Sequence, residues 1–296
     1  MATTKRTDLV YVDILQEEIR QALFNKLALF GTGAAIMNST LPEFNSNGNQ
    51  LKGGDKVVVP YFASIGKLDD VAEGGALVPR KISSSSENAS VIHSGIAGEF
   101  TNWANLTAQG LDPYKVYAAQ FAEAWMKRID EGLVSRAGAS SLSHDVSGVG
   151  AGLISWDAVV DAKKKWADGA QWSEIALMVV HSKVEADIWK LKDSSGRPLL
   201  VEPANQGELP RFRGVPLYVS DEVPVAGDVY TSLLCLKNSL VCWYNGEPSI
   251  DTDKDILADS QVVALHLYHV EHLYSSMPGK KAATPGVVAL KTKASA

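Results

Sequence analysis

The sequence predicts an α+β protein with an N-terminal arm, an extended two-stranded projection, a long helix and a mixed α/β domain. Three observations predict this fold class. Residues 56–62 have the pattern of a strand, and a possible partner, residues 90–100, follows about 27 residues later. From Tyr114 to Leu133, apolar residues recur at three- and four-residue steps, which indicates a long helix. Helical and strand patterns alternate after residue 152.

Composition and charge exclude several classes of protein. The 296 residues are 46% hydrophobic and 21% charged, which is typical of a folded globular chain of one or two domains. No apolar signal core follows Lys5 and Arg6, and no apolar run approaches the roughly 20 residues of a membrane-spanning helix. A net charge of −6 argues against binding nucleic acid by neutralising phosphates, but not against enclosing it.

The N-terminal region is predicted to form an arm. Residues 9–30 have the apolar spacing of an amphipathic helix, which Gly31 and Gly33 end, and residues 45–50 predict a loop. Between the strands at 56–62 and 90–100, the chain is too rich in Gly, Ser and Asp to form its own core. Strands of 15 to 20 residues would project roughly 50 to 65 Å. Because an isolated hairpin is marginally stable in water, such a projection needs a neighbouring surface.

The long helix has clear boundaries. Asp112 is a candidate N-cap, Pro113 suits the first helical position, and Gly138 ends the pattern, giving a helix about 37 Å long. A small-residue linker, 138–152, leads to the second domain. There Ser155 precedes a helix, 175–180 is a buried strand, and Ser182 with Glu185 predicts a capping box.

The rest of the chain predicts strands. They are expected at residues 215–220 and 232–244, and those at 261–274 and 286–290 are expected to return to the first domain. Cys235 and Cys242 fall in a segment with the pattern of two paired strands. We expect both to be small buried apolar residues, with reduced thiols, in a reducing cytoplasm.

Several polar groups suggest chemical sites but favour structural interpretations. On a strand, His266 and His272 share one face and His269 points to the other, which favours half-buried or contact histidines over a metal site. The segment 251–255 opens like a calcium loop but lacks the later Gly and Glu, so we expect a solvated acidic turn. Gly31-Thr-Gly33 lacks the third glycine of a dinucleotide fingerprint.

No catalytic, cofactor or metal site is predicted. Ser141, His144 and Asp145 have the residue types of a triad, but they lie in the linker, where no scaffold would position them. Lys163–Lys165 is interpreted as the solvated face of a helix, with an inward DNA contact as the alternative. Four tryptophans are interpreted as core or interface anchors: Trp125, Trp156, Trp166 and Trp172.

The order of these elements resembles the Hong Kong 97-like coat fold of tailed-phage major capsid proteins across nearly the whole chain. Local phrases also look familial, and their specificity lies in their joint order. They are Gly110-Leu-Asp-Pro, the helix segments 118–125 and 128–133, Val180-His-Ser, the segment 212–221 and Tyr230-Thr-Ser-Leu-Leu.

The resemblance implies a division of the chain and a role for each part. In that family the extended loop lies across the adjacent subunit, and the axial domain clusters around the capsomer axes. The implied parts are an N-terminal arm (1–49), an extended loop with flanking strands (50–100), a peripheral domain with spine helix (101–149), an axial α/β domain (150–258) and peripheral return strands with the C-terminal tail (259–296).

The implied function is that of a non-enzymatic shell protein without cofactors. Pentamers and hexamers of the chain would form an icosahedral head around double-stranded DNA in the virion, assembled in the bacterial cytoplasm with no membrane. Implied partners are a scaffolding protein and a portal, with a decoration protein left open. Some members crosslink a lysine to an asparagine, but nothing marks an activating acid near Lys67 or Lys81, and no crosslink is predicted.

Two rival functions remain. An encapsulin-type compartment would share the fold but hold protein cargo instead of DNA. A cytoplasmic α/β enzyme built on residues 150–220 would need a nucleophile or a phosphate-binding loop at a strand end, and the sequence offers neither there.

Overall fold

The computed structural model describes residues 28–38, 56–62, 84–103, 113–202, 208–244, 249–277 and 284–295, and the single positions 68, 70, 71, 77, 79 and 81. Most of the predicted arm helix, the predicted loop 45–50, Asp112 and Lys67 lie outside the described residues.

Four helices and fifteen strands are described. The helices are α1 (Ala28–Gly31), α2 (Pro113–Gly138), α3 (Trp156–Lys164) and α4 (Ser182–Lys190). The strands are β1 (Ala35–Asn38), β2 (Lys56–Phe62), β3 (Ser84–Ser90), β4 (Ile92–Thr101), β5 (Ser143–Asp145), β6 (Ile175–Val180), β7 (Leu200–Val201), β8 (Arg211–Phe212), β9 (Val215–Val219), β10 (Val225–Ala226), β11 (Val229–Leu236), β12 (Leu240–Tyr244), β13 (Ser249–Asp255), β14 (Ser260–Leu273) and β15 (Val287–Lys293).

The strands form two large sheets and one separate hairpin. A five-stranded sheet has the order β1-β12-β14-β13, and its fifth strand, β4, pairs with β14 on the side opposite β13. An eight-stranded sheet runs β5-β15-β11-β6-β9-β8-β7, with β10 attached to β11. Strands β2 and β3 pair only with each other among the described strands.

The long helix α2 packs against both large sheets. Its buried residues, including Phe121, Ile129 and Leu133, share one core with Leu265 of β14 and Leu177 of β6. The predicted three- and four-residue spacing therefore marks the buried face of a 26-residue helix, about 39 Å long, and the predicted start and end are confirmed.

The eight-stranded sheet is covered on its other face by α3 and α4. Alternate residues of β6, Met178 and Val180, pack with Val159 of α3 and Ile188 of α4. Since both faces of β6 are covered, all six of its residues are buried, which explains its uninterrupted apolar run. Helix α3 begins as predicted, with Ser155 Oγ accepting a hydrogen bond from the Ala158 amide.

Three predictions of pairing were wrong. The partner of β2 is β3, which lies in the segment expected to be loop, whereas residues 92–101 pair with β14. Cys235 and Cys242 do not lie on paired strands, because β11 and β12 belong to different sheets. Strand β15, expected in the first domain, pairs with β11 in the eight-stranded sheet.

Two local predictions were also wrong. Helix α4 is capped by His181, whose Nδ1 accepts from the Lys183 amide at 3.2 Å, while the Ser182 amide donates to Asp221. Part of the linker forms β5, which pairs in parallel with β15. The pairing of β5 depends on a partner distant in sequence, whereas the His181 cap is a local alternative to the predicted Ser182 cap.

Candidate assembly surface

The β2–β3 hairpin packs on the five-stranded sheet through a small apolar cluster. Val57, Val59 and Ala89 of the hairpin contact Val241 and Trp243 of β12, together with Val270 of β14. The sequence of β3, SSSENAS, is polar and has no apolar strand pattern. It forms a strand because its backbone pairs with β2 along seven residues. The two seven-residue strands span about 23 Å. Most of the segment that would complete the predicted projection lies outside the described residues.

A polar contact fixes the hairpin beside this cluster. His272 Nε2 lies 3.0 Å from Glu87 Oε2, and both side chains are mostly buried. Burial lowers the pKa of His272, and the Glu87 carboxylate opposes that shift without cancelling it, while Arg136 adds to it. Burial thus outweighs the attraction of the carboxylate, and the folded chain favours the neutral imidazole of His272.

The segment between β2 and β3 exposes apolar side chains. Leu68 is fully exposed and Leu77 is 76% exposed, and Val71 is also exposed. Lys81 is exposed too. Large exposed apolar side chains that follow one another along one segment of the chain are typical of a contact surface.

The opposite face of the same sheet carries α2 and a buried ionic group. Glu271 of β14 accepts a hydrogen bond from Arg128 Nη1 at 3.1 Å, and His269 Nε2 lies 3.0 Å from the same carboxylate oxygen. A Cβ atom on Gly132 of α2 would lie 2.0 Å from the Glu271 oxygens. Glycine there lets the helix approach a carboxylate that is almost fully buried.

A second polar contact joins α2 to the eight-stranded sheet. The Tyr218 hydroxyl on β9 donates to Asp130 Oδ2 at 3.0 Å. Burial raises the pKa of Asp130 above its usual value, opposed by the Tyr218 hydrogen bond. The helix is thus tied to one sheet through the buried carboxylate of Glu271 and to the other through the half-buried carboxylate of Asp130.

The three histidines of β14 do not converge. His269 lies on the helix side of the sheet, whereas His272 contacts the hairpin and His266 lies near His93, with 3.3 Å between ring nitrogens. The predicted division between the two faces is confirmed. Within the described ranges, no group of three His, Cys, Asp or Glu side chains is placed to hold a metal ion.

The other candidate groups take structural positions. Residues 251–255 belong to the exposed strand β13 and not to the expected turn; the turn follows, where Asp255 accepts from the amides of Leu257 and Ala258. Asp145 bonds to Ser147, not to His144. Gly31 ends α1, and Gly33, with a φ of 75°, turns the chain into β1.

The tryptophans and lysines divide between core and surface. Trp125 and Trp166 are buried, and Trp166 Nε1 donates to the Pro285 carbonyl. The rings of Trp156 and Trp172 stack with centroids 5.2 Å apart. Lys163 lies over the Trp172 ring, so it is only partly solvated, whereas Lys164 and Lys165 are exposed as predicted.

The cysteines are buried, as predicted. Burial raises the pKa of both thiols, Cys235 and Cys242, to about 12. They therefore stay protonated and unreactive at neutral pH.

Sequence reasoning missed the polar residues that position the hairpin and the helix. Glu87, Arg128 and Glu271 carry no local motif, since their partners are distant in the chain. One signal was present: Glu271 is the one acidic residue in the 14-residue strand β14. In the described part of the chain, no helix is long and apolar enough to cross a membrane.

Comparisons with known proteins identify the fold. No family model and no curated protein matches the chain. Solved structures do match. The capsid of Ralstonia phage GP4 has 12% sequence identity and a TM-score of 0.63, covering 90% of this chain and 88% of that one.

Two GTA particles give similar results. The capsid of the empty particle has 13% identity and a TM-score of 0.61, and that of the native particle 14% and 0.60; each covers 90% of both chains. Identity this low establishes shared architecture alone. The mixed α+β chain therefore has the fold of phage capsid proteins.

Proposed function

We propose that this chain is the major capsid protein of a tailed phage, which assembles with copies of itself into an icosahedral shell around double-stranded DNA. The observation that carries the proposal is the fully exposed Leu68, between β2 and β3, in a chain that has a capsid fold. A single copy leaves these apolar side chains in water, whereas a neighbouring copy would bury them.

The hairpin supports the same proposal. It is attached to the body by a cluster of six buried residues and the Glu87–His272 contact. A two-stranded hairpin alone is marginally stable, so a projecting extension gains order from a second surface. Backbone pairing and apolar burial between copies would offset the entropy lost when the loop is ordered.

The finer parts of the proposal follow from the family resemblance. Residues 50–100 form the extended loop with its flanking strands, and the segment between β2 and β3 crosses to the adjacent subunit. Residues 150–258 form the axial domain around pentamer and hexamer axes. A separate scaffolding protein and a portal take part in assembly in the host cytoplasm. The chain performs no catalysis and binds no cofactor, and the net charge of −6 suits a wall that encloses DNA without binding it tightly.

Deletion of residues 66–80 tests the proposal. The unaltered chain, expressed with its neighbouring genes, should form closed particles visible by electron microscopy. The deleted chain should remain folded and soluble by circular dichroism and gel filtration, but form no shells. Closed particles from the deleted chain would show that the loop is not an assembly element.

A matched variant separates loop length from loop chemistry. Replacing residues 66–80 with a Gly/Ser segment of equal length retains the reach and removes the apolar side chains. We expect this variant also to fail in assembly. Ultraviolet absorbance of purified unaltered particles should show nucleic acid; particles that hold protein cargo and no DNA would instead indicate a storage compartment.

A further inference from the structure

Two histidine side chains meet on the accessible part of the five-stranded sheet. His93 of β4 and His266 of β14 are diagonal neighbours, because His93 pairs with Tyr268 and Gly95 pairs with His266 in the antiparallel register. Leu267 is buried in the core that contains α2, so the adjacent His266 and Tyr268 lie on the other face of β14. His93 is exposed and His266 is half-buried, so solvent reaches the pair.

Each imidazole ring turns one nitrogen toward the other ring. His93 Nε2 lies 3.3 Å from His266 Nδ1, whereas the ring centroids are 5.4 Å apart, so these two nitrogens lie on the facing sides of the rings. Protein N–H···O hydrogen bonds are commonly shorter, about 3.0 Å. Two nitrogens that each lie about 2.0–2.1 Å from one tetrahedral Zn²⁺ are separated by about 3.4 Å. The observed separation therefore matches that of two ligands on one cation.

Neighbouring residues orient one ring and leave space beside the other. The ring of Tyr268 stacks on that of His93, with centroids 4.5 Å apart and an interplanar angle of 15°, which restricts rotation of the imidazole. Gly95 lies opposite His266, and a Cβ atom at this glycine would be 3.1 Å from His266 Nδ1. Because glycine has no Cβ atom, the nitrogen stays open to a ligand.

The charged groups near the pair already have partners. Arg128 lines the same hollow as His93, but its Nη1 lies 3.1 Å from the Glu271 carboxylate, so its positive charge is paired. The other two histidines of β14, His269 and His272, are buried and each contacts a carboxylate. On β14, therefore, His266 is the histidine with a nitrogen open to an added cation.

We propose that His93 Nε2 and His266 Nδ1 bind one divalent transition-metal cation of the class of Zn²⁺, Ni²⁺ and Cu²⁺, with water in the remaining coordination positions. Neutral imidazole is a common ligand of these cations. The bound cation joins β4 to β14 in place of direct contact between the rings. Two protein ligands make an open and reversible site, unlike the four-ligand sites of structural zinc. This inference goes beyond the proposed shell function and does not depend on it.

Titration of the unassembled full chain, produced without a histidine tag, tests the site. Calorimetric titration with zinc chloride should show one binding site per chain. His93→Gln and His266→Gln should each weaken Zn²⁺ binding at least tenfold, because each removes one of the two ligands. The matched control is His144→Gln, which removes an imidazole on β5, and it should bind Zn²⁺ as the unaltered chain does.

NMR of the imidazole nitrogens identifies the atoms that bind. In the unaltered chain, Zn²⁺ should shift the signals of His93 Nε2 and His266 Nδ1 and leave those of His144 unchanged. Tyr268→Phe preserves the ring stacking and should retain binding, whereas Tyr268→Ala should weaken it several-fold. Equal affinity in His93→Gln and the unaltered chain, no binding by the unaltered chain, or shifts confined to other histidines would overturn the proposal, whether or not the chain forms particles.

Discussion

The helix α2 and the β2–β3 hairpin pack on opposite faces of the same five-stranded sheet, yet their burial differs greatly. Residues of α2 such as Ile129 and Leu133 are fully buried in a core shared with both large sheets. The hairpin contributes three buried residues to a separate cluster of six. The difference indicates that, among the described side chains, the helix is stabilised by extensive burial and the hairpin by much less.

The largest expected effect lies in the helix. Leu133→Ala should lower the free energy of unfolding by about 3 kcal/mol, because the side chain is fully buried and leaves a cavity. Val116→Ala, at an exposed position of the same helix, should change it by less than about 0.5 kcal/mol. Chemical denaturation of the unassembled chain measures both, and equal effects would contradict the burial difference.

The close approach of helix and sheet predicts the next effect. Gly132→Ala should cost about 2 kcal/mol of unfolding free energy, because the new methyl group would overlap the Glu271 carboxylate. Gly169→Ala is the matched control, since nothing lies within 4 Å of a Cβ atom there. If Gly132→Ala is as stable as the control, the carboxylate can move and the helix contact is not tight.

The hairpin should respond locally. Val59→Ala removes buried methyl groups from the small cluster, and we expect a loss of about 1 kcal/mol in local stability. Hydrogen exchange of the β2 and β3 amides should accelerate, while amides of α2 stay protected. Equal acceleration in both regions would show that hairpin and helix unfold as one unit, which would break the comparison.

The smallest effect is a pH dependence confined to the hairpin. The pKa of His272 is lowered from 6.5 in the folded chain, so the unfolded state binds more protons just below that value. Stability of the hairpin should therefore fall as pH falls from 7 through 6.5. His272→Gln should abolish the dependence of β3 amide exchange in this window; an unchanged dependence would assign it to another group.

Asp130 acts in the other direction and at lower pH. The pKa of Asp130 is raised above 3.8 in the folded chain, so the folded state binds this proton more strongly than the unfolded state does. The contribution of Asp130 to the free energy of unfolding should therefore fall as the pH rises above 3.8. Because the two windows differ, the titration of α2 contacts can be separated from that of the hairpin.

Prediction from sequence succeeded where structure depends on near neighbours. The spacing from Tyr117 to Leu133 placed α2, and Ser155 placed the start of α3. It failed at β3, because the sequence SSSENAS has no strand pattern and becomes a strand by pairing with β2. It failed also at the start of α4, where His181 is the N-cap instead of Ser182 of the predicted capping box.

The candidate surface was predicted only in outline. The sequence indicated a projecting loop between two strands and a division of the β14 histidines between two faces. It gave no sign that Glu87 meets His272 or that His93 meets His266. These features arise where separate elements meet, and the residues involved follow no periodic pattern.

The amino-acid sequence alone determined the α+β class, the long helix with its start and end, the buried strand β6 and the resemblance to a coat fold. Only the tertiary structure decided which strands pair, which sheet receives β11, β12 and β15, and where charges are buried. The physical reason is the sequence separation over which each kind of interaction acts. Helical spacing and capping act over a few residues, whereas Arg128 and Glu271 meet across 143 positions of the chain.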